Sequence, residues 1–240
     1  MKILTYSDDV NARQPLLKSA ADYGFDVESV TGEFRFYKDW ETRAKVLLSR
    51  LEQMPEDEVI CITDAHDVFV NAPANVMKKI YDDNYEGKLV FQSEHQVWPD
   101  FRLAPQILEK HKDPDGYSYP CFGCAIGPVR LFVELYREVF KHGHVDEYLA
   151  SMNGELTWPF DDQLALSKLY PTTDWIVIDS ACVLFQSMQA PALPDLGIGQ
   201  HVKLFLVNKK KNTRPCIVHG HGPVGVKKVY FDVLEKLGYK

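Results

Sequence analysis

Residues suited to chemistry fall in a few short segments. The first is Asp64-Ala65-His66-Asp67, directly behind the apolar run Val59-Ile60-Cys61-Ile62-Thr63. Two carboxylates at i and i+3 on a turn leaving a strand can converge on one hard divalent cation, with oxygens at about 2.0–2.6 Å. Such a cation bridges the phosphates of a nucleotide, which bare carboxylates repel. The same acids also suit a turn that caps the next helix. The second segment is Val218-His219-Gly220-His221-Gly222-Pro223, again behind an apolar run. An imidazole at a strand end, among glycines that let backbone approach a ligand, reads as a metal ligand or as part of a solvated Gly-rich turn. Joined to two carboxylates, His219 favours manganese over magnesium or calcium, because imidazole nitrogen is softer than oxygen. His219 and His221 also have the spacing of a zinc pair, provided the backbone folds around the ion.

The third segment is Trp158-Pro159-Phe160-Asp161-Asp162-Gln163. Paired acids at a helix start commonly cap it. The aromatic neighbours suggest a walled cleft instead, where a carboxylate orients a sugar hydroxyl or stabilises a cationic transition state. Trp98, in Trp98-Pro99-Asp100, suits the core or a stacking surface for a sugar or base. Lys227 and Lys228 follow the His-Gly loop and are placed to meet a diphosphate, Lys45 lies on a helical stretch, and Lys209-Lys210-Lys211 reads as exposed loop. Cys121-Phe122-Gly123-Cys124 has the C-x-x-C spacing of redox or half-zinc motifs. With no second C-x-x-C in the chain, buried thiols are the expectation. No phosphate-binding G-x-x-x-x-G-K-[ST] and no G-x-S-x-G occurs, and no G-x-G-x-x-G stands in the turn directly behind the first strand.

These segments need elements to hold them. Apolar runs predict strands at residues 2–5, 25–30, 58–63, 88–92 and 123–127, with helices at 14–23, 40–53, 74–81 and 130–141 between them. Beyond these come a helix at 161–169, strands at 175–179, 183–186, 202–207 and 216–218, and a helix at 224–237. The β-α-β-α-β rhythm implies an α/β fold with a parallel, doubly wound sheet and ligands at the strands' carboxyl ends. No repeat or linker divides the chain, so a single domain over residues 1–240 is expected.

The 240 residues carry 34 acidic and 27 basic side chains, a formal net charge of −7. That balance argues against a general nucleic-acid binder, whose footprint is basic. Residues 1–8 are too short and too soon acidic for a signal peptide, and no apolar run is long enough to span a membrane. A cytoplasmic protein without membrane contact is the expectation.

In order along the chain, several motifs resemble one family. They are Ile62-Thr63-Asp64-Ala65-His66-Asp67-Val68, Phe91-Gln92-Ser93-Glu94 with Trp98-Pro99-Asp100, and Phe122-Gly123-Cys124-Ala125-Ile126-Gly127. Asp161-Asp162-Gln163, Phe185-Gln186 and Ile217-Val218-His219-Gly220-His221-Gly222-Pro223 complete the series. Together they are similar to the amino-terminal glycosyltransferase domain of the multifunctional procollagen lysyl hydroxylases, over nearly the whole chain. The resemblance implies a GT-A type fold, with a Rossmann-like, mostly parallel sheet flanked by helices. It implies Mn²⁺, a UDP-glucose or UDP-galactose donor, and hydroxylysine or galactosyl-hydroxylysine of a collagen-like polypeptide as acceptor.

By the same resemblance, Asp64, Asp67 and His219 are the metal ligands, and His66 stands where the family packs an aromatic ring on the uridine. Tyr6, Ser7, Lys45, Gly222 and Lys227 fall at nucleotide-contacting places, and Asp161, Asp162 and Trp98 lie toward the donor sugar. The chain departs from the family where a Gly-rich loop becomes Trp40-Glu41-Thr42-Arg43-Ala44, and where Asn-Ser-Gly-Gly becomes Cys121-Phe122-Gly123-Cys124. The lysine after the His-Gly loop is displaced by two positions to Lys227. A GT-A transferase for another glycan or a lipid-linked acceptor, and a catalytically silent nucleotide-sugar binding module, stand as alternatives. A homodimer stays open as an assembly.

Overall fold

The computed structural model describes residues 1–7, 9, 11–30, 39–152 and 158–240. The chain opens with β1 (Lys2–Tyr6), α1 (Gln14–Asp22), β2 (Asp26–Val30), α2 (Trp40–Leu51) and β3 (Val59–Thr63). β4 (Val68–Val70), α3 (Ala74–Tyr85), β5 (Leu89–Glu94), α4 (Ala104–Lys110), β6 (Tyr119–Pro128) and α5 (Val129–His142) follow. The remainder is α6 (Glu147–Met152), α7 (Asp162–Leu169), β7 (Ile176–Asp179), β8 (Phe185–Ser187), β9 (Leu196–Gln200), β10 (Leu204–Asn208), β11 (Ile217–His219) and α8 (Val224–Leu237).

The inner strands are apolar on both faces because each face is covered. Leu4, Ile60, Ile62 and Phe91 pack with Leu47 and Leu51 of α2 and Leu135 of α5. Ile3, Cys61 and Val90 pack on the other side with Leu16 of α1 and Met77 of α3. Burial on both faces produces the continuous apolar runs from which these strands were predicted. α1 is closed by Gly24 at φ +74°, a conformation that costs side-chain-bearing residues more than glycine.

Among the described residues the main sheet has the order β2-β1-β3-β6-β5-β7. β2, β1 and β3 are mutually parallel, as are β5 and β7, and β6 runs antiparallel to both of its neighbours. The expected α/β architecture with a mostly parallel sheet is present, with one reversed strand that the sequence did not announce. The reversal matters for the site. It brings the amino end of β6 to the same edge as the carboxyl ends of β1, β3 and β5, pairing Cys124 with Thr63 and Tyr119 with Glu94. The β5–β6 register shifts between Phe91 and Gln92, whose partners are Ala125 and Cys121, so residues 122–124 bulge. Bulges re-aim backbone beside functional sites. Here the Gly123 carbonyl accepts the Asp64 N–H at 2.8 Å.

A smaller sheet, β4-β11-β8, lies beside the first, with β11 antiparallel to β4 and parallel to β8. It pairs His219 with Val68 and Ser187, so the strand end that carries the histidine is clamped on both sides. α8 covers it, burying Tyr230 and Leu234 against Phe69 and Val218. The strand expected at 202–207 is one arm of a hairpin whose other arm is β9. β9 went unrecognised because Gly197 and Gly199 leave few side chains to show its alternation. All five cysteines are buried and free. No helix among the described residues is long and apolar enough to cross a membrane.

Candidate active site

Asp64 leaves the end of β3, Asp67 closes the turn before β4, and His219 ends β11. Nε2 of His219 lies 3.3 Å from Asp64 Oδ2 and 3.4 Å from Asp67 Oδ1. That nitrogen is buried and makes no hydrogen bond. The other ring nitrogen, Nδ1, is 3.2 Å from Gln92 Oε1, the kind of support that orients metal-ligating histidines. One ligand atom from each of the three residues fits within 4.8 Å of the others. A Cβ at Gly123 would overlap the His219 ring and stand 3.1 Å from Asp64 Oδ2, so the bulge needs glycine there.

The electrostatics follow this geometry. Burial works against charge on His219, yet the Asp67 and Asp64 carboxylates prevail and push its pKa up to about 10. Burial likewise opposes charge on Asp67, but His219 and Lys227 hold that carboxyl well below the usual range. Two hard oxygens and one imidazole nitrogen, aimed at a common point, fit a divalent cation such as manganese. Asp64, Asp67 and His219 are the residues that would hold it.

Most of the other residues singled out in the sequence surround this cluster. The Tyr6 hydroxyl donates to Asp64. Ser7 Oγ and His66 Nε2 are 2.7 Å apart. Lys227 reaches across from α8 to Asp67, and the Gly220 N–H donates to the Asp67 carbonyl at 2.6 Å. Gly222, at φ +123°, forms the exposed lip of the loop. Lys45 is the exception. Its side chain is 60% exposed and pairs with Glu41 at 2.7 Å on the outer face of α2.

Two helical residues span about 200°, so Lys45 cannot share a face with Arg43. Arg43 is the α2 cation that faces inward. Its guanidinium lies 4.1 Å from the Tyr6 ring centroid and 4.0 Å from that of Trp40, and it pairs with Asp162. A signal for it exists in the sequence: Arg43 falls on the stripe formed by Trp40, Ala44, Leu47 and Leu51.

The two members of the acidic pair make different contacts. Asp161 caps α7, with Oδ1 accepting the Leu164 N–H at 2.8 Å and Oδ2 accepting Trp158 Nε1–H at 3.0 Å. Asp162 points the other way, to Arg43. Burial, and then the neighbouring Asp162 charge, raises Asp161 to about 6. Native Asp161 therefore holds a proton more readily than the unfolded chain, and its stabilising contribution fades as pH rises through about 4 to 6. Relative to the parent protein, Asp161→Asn should gain roughly 3 kcal/mol of stability across that window, at 1.36 kcal/mol per pKa unit. Urea unfolding of both proteins at pH 4 and 7 checks this, and a pH-independent difference would contradict it.

Trp98 is half-buried, packed with Trp158 on Leu149 and Leu164, and edge-on to Phe101 at 6.2 Å. Gln163 ties α7 to the bulge, accepting the Phe122 N–H at 2.7 Å and donating to the Pro120 carbonyl at 2.8 Å. Glu94 was missed as a site residue. It is 4% exposed at the end of β5, accepting from Gln189 Nε2 at 2.7 Å and facing His221 Nε2 at 2.9 Å. A carboxylate closing an apolar strand was the available signal.

Residues 8–236 match the family described as the PLOD GT domain. An uncharacterised protein of Acanthamoeba polyphaga mimivirus is 30% identical over 179 residues, covering 74% of this chain and 34% of that protein. The multifunctional procollagen lysine hydroxylase and glycosyltransferase of Caenorhabditis elegans is 25% identical over 240 residues, 90% of this chain and 30% of the relative. Procollagen-lysine,2-oxoglutarate 5-dioxygenase 2 of Mus musculus is 27% identical over 177 residues, 73% and 22% of the two chains. The chain thus spans about a third or less of the length of these relatives. A crystal structure of a glycosyltransferase involved in the glycosylation of the major capsid of PBCV-1 shares the fold, with a TM-score of 0.53 over 98% of each chain at 14% identity. Because the family match runs through nearly the whole length, on the fold of a solved glycosyltransferase, this chain belongs to the PLOD GT domain family and is a glycosyltransferase with a nucleotide-sugar donor.

Proposed function

We propose that this chain, working as one domain, transfers glucose or galactose from a UDP-sugar to hydroxylysine or galactosyl-hydroxylysine of a collagen-like polypeptide, with Mn²⁺ held by Asp64, Asp67 and His219. The observation that carries the metal part is the buried, unpartnered Nε2 of His219 between two carboxylates. The names of the Caenorhabditis elegans and Mus musculus relatives support the acceptor class. A bound cation supplies Lewis-acid stabilisation of the charge that develops on the UDP leaving group. The chain's own residues do the rest. Lys227, held against Asp67, places a second positive charge where the diphosphate would lie. Tyr6, Ser7 and His66 form the nucleotide side of the cleft, and Asp162, steadied by Arg43, orients the donor sugar.

The metal dependence has a direct test. UDP should bind at least about tenfold more tightly in Mn²⁺ than in EDTA, a difference of about 1.4 kcal/mol by calorimetry. Equal affinities would remove the metal from the reading. UDP release from UDP-glucose and UDP-galactose, with and without hydroxylysine and galactosyl-hydroxylysine peptides, tests the acceptor. Peptide-stimulated release is the expected result. Release that no peptide stimulates points to another acceptor. Binding without any release indicates a silent module.

A further inference from the structure

Beside the Asp64–Asp67–His219 cluster lies a second group of metal-competent side chains, built on softer atoms. Cys121 comes from the amino end of β6, Glu94 from the carboxyl end of β5, and His219 and His221 from the end of β11 and the loop after it. The Cys121 sulfur and one ring nitrogen from each histidine lie within 4.8 Å of one another. The two imidazoles face each other with centroids 4.3 Å apart and planes inclined by 34°. His221 Nε2 stands 2.9 Å from Glu94 Oε1 and 2.9 Å from Ser187 Oγ, which fixes the second ring. Cys121, Glu94 and His219 are 5%, 4% and 2% exposed, so an ion here would be shielded from water.

The placement of the other cysteines sharpens the point. Cys61, Cys124 and Cys216 pack in one apolar cluster and Cys182 in another, behaving as small hydrophobes. Cys121 instead stands among a carboxylate and two imidazoles. The antiparallel direction of β6 and the bulge after Cys121 produce this, because they deliver a thiol to the edge of the sheet where His219 arrives from the smaller sheet.

We propose that Cys121, His219 and His221, with Glu94 as the fourth ligand, form a second cation position that takes a thiophilic divalent ion such as zinc. A tetrahedral zinc site has bonds of about 2.3 Å to sulfur and 2.0–2.1 Å to nitrogen, so ligand atoms stand roughly 3.3–3.8 Å apart and side-chain shifts of about 1 Å close the set. Binding converts the Cys121 thiol to a thiolate and the His219 imidazolium to a neutral imidazole, releasing both protons to solvent with no change of oxidation state. Because His219 belongs to both clusters, an ion in the soft position engages a ring that the hard position needs. Thiolate and imidazole favour zinc, whereas the two aspartates favour a harder ion, so the two positions select different metals.

Cobalt(II) titrated into the reduced chain is the test, because a cobalt–thiolate bond gives a near-ultraviolet charge-transfer band and tetrahedral cobalt an intense visible one. Both bands should grow to one equivalent and be bleached by added zinc. Cys121→Ser should abolish the charge-transfer band, while Cys124→Ser and Asp67→Asn keep it. His221→Ala should weaken cobalt binding by more than about tenfold. Absence of the thiolate band from the parent chain overturns the proposal, and so does an undiminished band in Cys121→Ser. Absence of the band from the parent chain is decisive without any variant, so a poorly folding variant leaves the proposal open to refutation. It uses neither donor sugar nor acceptor, and is therefore independent of the transferase reading.

Discussion

His219→Ala is expected to abolish glycosyl transfer and to take Mn²⁺-dependent UDP binding with it. The residue supplies the one nitrogen in a set of three ligands, and its backbone is fixed by pairing to Val68 on one side and Ser187 on the other. An ordered ligand loses little entropy on binding, so deleting it forfeits nearly all of its contribution. Removing only a supporting partner of a metal ligand costs roughly 10–100-fold in affinity or activity. Losing the ligand itself should exceed that. His221→Ala is the informative contrast. Its ring is held by Glu94 and Ser187 and is not one of the three ligands, so this variant should keep Mn²⁺ binding with a smaller change in UDP affinity. Calorimetry of Mn²⁺-UDP with both variants, beside thermal unfolding to confirm their folds, makes the comparison. A His219→Ala protein that binds Mn²⁺-UDP like the parent would falsify the three-ligand site.

What made His219 and the two aspartates visible in advance was their position behind strands buried on both faces. Continuous apolar runs betray such strands, and the residues that follow must lie at a sheet edge. Strand direction carries no such mark. β6 pairs antiparallel with β3 and β5, and its composition is that of a buried parallel strand, so the arrival of Cys121 and Gly123 at the site had no local signature. The bulge at residues 122–124 was hidden for the same reason, since it exists only in the pairing with β5. Lys45 and Arg43 show a different difficulty. Resemblance drew attention to the lysine, whereas helical periodicity assigns the inward face to the arginine two residues earlier. Asp161 and Asp162 could not be told apart by spacing, because capping requires only one carboxylate and either was available.

Arg43→Ala should be among the most destabilising single substitutions in the site, and it should also stop transfer. Arg43 is 5% exposed and Asp162 6% exposed, and they are ion-paired. Breaking a buried pair by removing one partner costs about 3–5 kcal/mol, because the other charge stays buried without compensation. The stacking on Tyr6 and Trp40 is lost as well, at about 0.5–2 kcal/mol for each ring. Urea unfolding should therefore show a loss of at least about 3 kcal/mol. Stability alone does not say whether the pair works on the substrate, so two further variants are needed. Asp162→Asn should keep Mn²⁺-UDP binding while losing transfer, because its proposed contact is the sugar and not the nucleotide. Arg43→Met combined with Asp162→Leu should recover most of the lost stability, since apolar replacement of a buried pair is often neutral or stabilising. If the double variant is stable and inactive, the pair is kept for orienting the donor sugar. Were it to transfer sugar at the parent rate, Arg43 and Asp162 would be structural alone, and the orienting carboxylate would have to be found elsewhere in the cleft.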